Sequence, residues 1–169
     1  MLGACRIVAG ISGSPGSVHA LRHAASLARH HDAPLTVAHA WLPPDSRRLP
    51  WPELRQLWED DAWQRLWDTF DRAFGGLPAG VTTQPVVLRG KPGKALTGLA
   101  RQPGDLLVIG AGRPGPQRRL GCGVSRYCLA RACCPVLAIP PPELARQAGH
   151  GLRGWAYRHR PHLDTAQAT

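Results

Sequence analysis

The residues from Leu106 to Pro140, LLVIGAGRPGPQRRLGCGVSRYCLARACCPVLAIP, place glycines and cations where phosphate chemistry needs them. An apolar run empties into Gly110, Gly112 and Gly115, and a helix-like run follows Gly121 and Gly123. Backbone N–H groups at a helix N-terminus point toward the preceding loop, and glycines let a phosphate come close. Arg113, Arg118, Arg119, Arg126 and Arg131 add positive charge, with no acid among them. The stretch reads as an anion cradle of an open parallel α/β sheet, with a nucleotide as its natural occupant.

Three other constellations compete for a chemical role. Gly90 to Lys94, GKPGK, has the residues of a phosphate loop but not its spacing. A Walker A loop needs four residues before its Gly-Lys and a Ser or Thr after the lysine, where this chain has Ala95. Lys91 and Lys94 therefore read as extra charge near an anion site. Gly10 to Ser14, GISGS, approaches a nucleophile elbow, yet Ser14 stands at the final glycine position. His19, His23, His30, His31 and His39 are available as bases, but no spacing pairs one with Ser12. That loop reads as a turn with helix-capping serines. No residue is assigned to catalysis or to a metal.

The cysteines argue against export and against zinc. There are five of them, an odd number that makes a poor disulfide framework. Cys122, Cys128, Cys133 and Cys134 form no C-x-x-C pair, so they read as small apolar residues of a buried helix and strand entrance. Cys5 follows a small-residue start that lacks a charged n-region and an apolar core, so no export signal is expected. No apolar run approaches the roughly 20 residues of a membrane helix. The expected compartment is the cytoplasm.

The composition, 43% hydrophobic and 19% charged, excludes a wholly disordered chain, and 169 residues fit one domain with a tail. Net charge is +10. The acids concentrate between Asp45 and Asp71, whereas Arg72 to Pro142 holds one acid, Asp105, against many cations. A basic half fits an anionic small ligand as well as nucleic acid.

The elements that must position the cradle alternate along the chain. Cys5–Ile11 reads as a buried strand, and a helix over Val18–His31 follows with Ser17 as its N-cap. Pro34–Trp41 is a second strand. Pro52 suits the first position of a helix running to Phe74, in which Leu54, Trp58, Ala62, Leu66, Phe70 and Phe74 recur every fourth residue. That stripe reads as packing against a sheet rather than as a base-stacking platform. Strands are expected at Val81–Leu88, Asp105–Gly110 and Val136–Ile139, with helices within Gly90–Gln102 and over roughly Leu120–Ala132. His30, His31 and Asp32 end the first helix, where cations and turn formers belong. Residues 142–169 read as a basic, loosely docked tail after a domain of residues 1–141. Five strands with intervening helices predict a doubly wound parallel sheet, flavodoxin-like or related, whose ligand crevice lies at the carboxyl ends of its strands.

Particular residues carry a family resemblance over Arg6 to Pro140. RIVAGISGS opens the chain, VAHAW ends the second strand, and GKPGKAL precedes the third helix. DLLVIGAGRPG and the closing VSRYCLARACCPVLAIP complete the pattern. The chain resembles the universal stress protein family. That resemblance implies a five-stranded sheet of order 3-2-1-4-5, a homodimer paired through the last strand, and a role in stress survival or dormancy. It implies adenine-nucleotide binding, ATP or AMP, with Mg²⁺ only alongside the nucleotide. Ile11 and Ser12 would border the ribose, and Ala40 the adenine. Gly110, Gly112, Gly115, Gly123, Val124 and Ser125 would line the phosphates.

Two departures from the family pattern are visible. Nucleotide-binding members carry G-x2-G-x9-G-(S/T) after the fourth strand and an aspartate at the end of the first. Here Ser12 stands in place of the aspartate. From Gly110 the second glycine falls on Arg113, and from Gly112 the third falls on Ser125. The expectation is a weak, non-catalytic nucleotide binder. The alternative is an interaction protein acting through its basic face and tail without a nucleotide.

Overall fold

The computed structural model of the chain describes residues 6–42, 52–111 and 123–143. Five strands alternate with four helices. They are β1 (Arg6–Ile11), α1 (Pro15–His31), β2 (Leu35–Trp41), α2 (Pro52–Phe74), β3 (Thr83–Arg89), α3 (Pro92–Leu99), β4 (Asp105–Gly110), α4 (Val124–Arg131) and β5 (Val136–Ile139). All strand pairs are parallel and the order is β3-β2-β1-β4-β5. The sheet is doubly wound, as the alternation of elements requires.

Each face of the sheet is covered by two helices, which is why its central strands are apolar without alternation. On one face α1 and α2 pack Leu21, Ala24, Leu66 and Phe70 against Ile7, Leu35, Val37 and Val108. On the other, Leu96 of α3 and Cys128 of α4 join Val8, Ala38, Leu107 and Ile109. In the stripe of α2, Ala62, Leu66 and Phe70 are buried, Phe74 packs against the core, Trp58 is half-buried, and the Leu54 side chain lies outside the described residues. Cys128 and Cys134 are buried free thiols, and burial pushes the Cys128 thiol up to about 11. Cys133 departs from the expected burial and is exposed.

Several boundaries differ from expectation: β2 begins at Leu35 rather than Pro34, β3 ends at Arg89 rather than Leu88, and α4 begins at Val124 rather than near Leu120. The first helix begins at Pro15, three residues before the expected start, and its N-cap is Ser14 rather than Ser17. Ser14 has extended backbone (φ −76°, ψ 156°), and its Oγ accepts a 3.2 Å bond from the Ser17 N–H. Pro15 extends the helix backward because its fixed φ suits the first turn and its missing N–H costs nothing there. Ser17 is buried and donates its hydroxyl to the Ser14 carbonyl at 2.8 Å. The Ser14→Ala variant is expected to lose about 1 kcal/mol of stability in urea denaturation; no loss would mean that water caps the helix equally well. β3 begins at Thr83 and is only half-buried, because it is an edge strand. At its far end α1 stops where Asp32 takes a left-handed conformation (φ 49°) and its N–H returns to the carbonyls of Ala28 and Arg29.

The amino edge of the sheet is tied by one ion pair. Arg6 and Asp105 face each other across β1 and β4. Arg6 Nη2 lies 2.8 Å and Nε 3.1 Å from the two carboxylate oxygens, and Nη2 also donates to the Leu99 carbonyl at 3.0 Å.

Candidate functional site

The winding direction reverses between β1 and β4, so the crevice of this sheet opens at their carboxyl ends. Ile11 ends β1, Ala40 lies one residue before the end of β2, and Gly110 ends β4. Ser12 is exposed directly after β1. Gly123 is the N-cap of α4, with Val124 and Ser125 in its first turn. The Ser125 hydroxyl donates to the Ala111 carbonyl at 3.3 Å, which holds that turn beside the end of β4. Seven of the nine nominated residues thus share one edge of the sheet. Gly112 and Gly115, with Arg113 and Cys122, lie outside the described residues, as do residues 144–169 of the tail.

The N-termini of α1 and α4 at this edge differ in what they offer. In α1, Pro15 has no N–H, and the N–H groups of Ser17 and Val18 are both spent on the Ser14 carbonyl at 2.9 and 3.0 Å. In α4 the cap is Gly123, which has no side chain to bond the first turn. Among the described residues nothing caps its leading N–H groups, and no acid occupies that turn.

Gly110 is a glycine for packing. A Cβ there would lie 3.2 Å from both the carbonyl carbon and the oxygen of Gly16 and 3.5 Å from the Ser17 nitrogen. A side chain there would press on the backbone of α1's first turn, so glycine lets β4 end close against it. Gly93 does the same for the other face, since its Cβ would meet Tyr127 at 2.7–3.0 Å. That contact seats the first turn of α3, which carries Lys94, against α4. Lys91, the N-cap of α3, and Arg126 of α4 complete an exposed basic rim.

Sequence reasoning missed one cation at this edge. Arg72, near the end of α2, donates to the Gly13 carbonyl at 3.0 Å and so braces the β1–α1 turn, in which Gly13 has φ 72°. The two residues are 59 apart in sequence, and no local pattern could have joined them.

The hydrolase reading of Ser12 finds no support in this arrangement. Its hydroxyl lies 3.1 Å from that of Ser14. His39, directly across from Ile11, donates from Nδ1 to the Ile11 carbonyl at 3.2 Å. Burial pushes that imidazole below its ordinary value, so at neutral pH it is an uncharged structural donor. Among the described residues no group of three metal-ligating side chains gathers, and no helix is long and apolar enough to cross a membrane.

The sequence model of the universal stress protein family matches residues 5–140. The chain belongs to the universal stress protein family. Solved structures agree on the fold. A universal stress protein in complex with cAMP shares 23% identity at TM-score 0.65, with 83% of this chain and 99% of that one covered. A family protein from Burkholderia pseudomallei shares 22% identity at TM-score 0.57, over 82% and 97% of the two chains. The universal stress protein from Archaeoglobus fulgidus shares 20% at TM-score 0.57, over 79% and 97%. No curated protein matches the chain.

Proposed function

We propose that this universal stress protein binds an adenine nucleotide, ATP or AMP, weakly and without turnover, in a cytoplasmic stress or dormancy response. The observation that carries the reading is the uncapped first turn of α4 beside the end of β4. Among the described residues nothing caps its N–H donors, at the reversal point of the sheet and beside exposed cations. The cAMP bound by a protein of the same fold supports an adenine ligand. Ile11 and Ser12 border the ribose, Ala40 the adenine, and Gly110, Gly112, Gly115, Gly123, Val124 and Ser125 the phosphates. Mg²⁺ enters only with the nucleotide. Residues 1–141 make the binding domain and 142–169 a separate basic tail. A homodimer through β5 is part of the proposal: β5 is an edge strand with Leu137 37% exposed.

Isothermal titration with ATP, AMP and cAMP tests the reading. Saturable heat with at least one of them is expected, together with a rise in melting temperature. No heat and no thermal shift at millimolar ligand would remove it. A second variant probes the missing carboxylate. Ser12→Asp is expected to tighten Mg²⁺–ATP binding several-fold while leaving binding without Mg²⁺ equal or weaker; equal tightening in both conditions would deny a metal-facing position to residue 12.

A further inference from the structure

Away from the crevice, α1 carries two histidines whose rings meet. His19 and His23 stand four residues apart on one face of the helix, with Nε2 atoms 3.2 Å apart and ring centroids 4.6 Å apart. His19 Nδ1 lies 3.1 Å from the carbonyl oxygen of Pro140, just past β5. A carbonyl only accepts, so Nδ1 is the donor, which leaves His19 Nε2 to accept from His23. His23 is exposed and His19 half-buried, so both are open to small solutes.

The separation is that of two ligands on one metal ion. Two imidazole nitrogens at 2.0–2.1 Å from a tetrahedral zinc stand about 3.3 Å from each other, and at octahedral angles about 3 Å. The Pro140 carbonyl adds the partner that metal-bound histidines require, because a bond to the second ring nitrogen fixes both tautomer and ring orientation. Imidazole pairs suit zinc, copper(II) and nickel(II), whereas magnesium and calcium prefer oxygen ligands. No third His, Cys, Asp or Glu of the described residues joins the pair.

We propose that His19 and His23 form a two-histidine site for a divalent transition metal of the zinc, copper(II) and nickel(II) class, with Pro140 as its positioning group. In the metal-free chain His23 donates its Nε2–H to His19. On binding, that proton moves to His23 Nδ1, so that both Nε2 atoms face the ion. The ion holds the His19 ring in the orientation that bonds Pro140, and so strengthens the attachment of the segment after β5 to α1.

Thermal melts of the full chain with Zn²⁺, Cu²⁺ and Ni²⁺ chlorides test the site. A ligand that binds only the folded state raises the melting temperature, and histidines that bind equally in both states do not. At tenfold over the dissociation constant the shift expected is roughly 3–6 °C for a chain of this size. Mg²⁺ should give none. His23→Ala, which keeps the His19–Pro140 bond, and the double variant His19→Ala/His23→Ala should both lose the shift. A wild-type chain that none of the three ions stabilises at millimolar concentration would overturn the site. So would a double variant that responds as strongly as the wild type.

Discussion

Arg6→Leu is expected to remove about 3–5 kcal/mol of folding stability, the cost of leaving a buried carboxylate without its partner. The Asp105 side chain is 0% exposed and Arg6 27%. Besides Arg6, Asp105 accepts the Gln102 N–H at 3.2 Å, which cannot neutralise it. Replacing both residues by leucine should recover most of the loss, because an apolar pair carries no desolvation cost. The pH dependence gives an independent check. The bond from Arg6 holds the Asp105 carboxyl below its ordinary value. The pair therefore contributes fully above the unfolded value near pH 4, and its contribution is lost as pH falls through the folded value. In Arg6→Leu the sign reverses. The unpaired buried carboxyl titrates above its unfolded value, so that variant should regain stability relative to wild type as pH falls toward roughly 4. Urea midpoints at neutral and acid pH measure both arms; a loss below 1 kcal/mol with parallel pH curves would show that the pair is solvated.

Gly123→Asp is expected to lower ATP affinity at least tenfold, about 1.4 kcal/mol, without destabilising the fold. Gly123 sits at φ −53°, ψ 147°, a conformation open to any residue, and a Cβ there meets nothing within 4 Å. Aspartate at an N-cap accepts the N–H groups of the first turn and favours the helix dipole, for a gain of a few tenths to about 1 kcal/mol. Those are the donors that the proposed phosphate needs, and the new charge repels it. Affinity should fall while the melting temperature holds or rises slightly, a pairing that a misfolded variant cannot produce. Gly123→Asn caps without the charge and should weaken binding less. Unchanged affinity in both variants would move the phosphates away from α4.

The elements were legible because their signals are local. CRIVAGI and DLLVIG are long apolar runs bounded by turn residues, and the repeat from Ala62 to Phe70 can only be one buried stripe. Errors arose where two residues competed for one local role. Ser14 and Ser17 both look like caps, and the bond from Ser17 N–H to Ser14 Oγ decides between them. Gly110 was legible as a special residue but not as a packing one, because the Gly16 backbone it must clear arrives from another helix.

The sequence by itself determined the order of strands and helices, the class of sheet, the family, and the edge on which Ile11, Ser12, Ala40 and Gly110 fall. Periodicity and punctuation are properties of neighbouring residues, so they survive in a string of letters. Tertiary structure alone decided that Ser14 caps α1 while Gly123 gives α4 no side-chain cap, that Arg72 braces Gly13, and that His19 meets Pro140 at a separation of 121 residues. Hydrogen bonds form between groups that the topology brings within about 3 Å, and that proximity has no local signature.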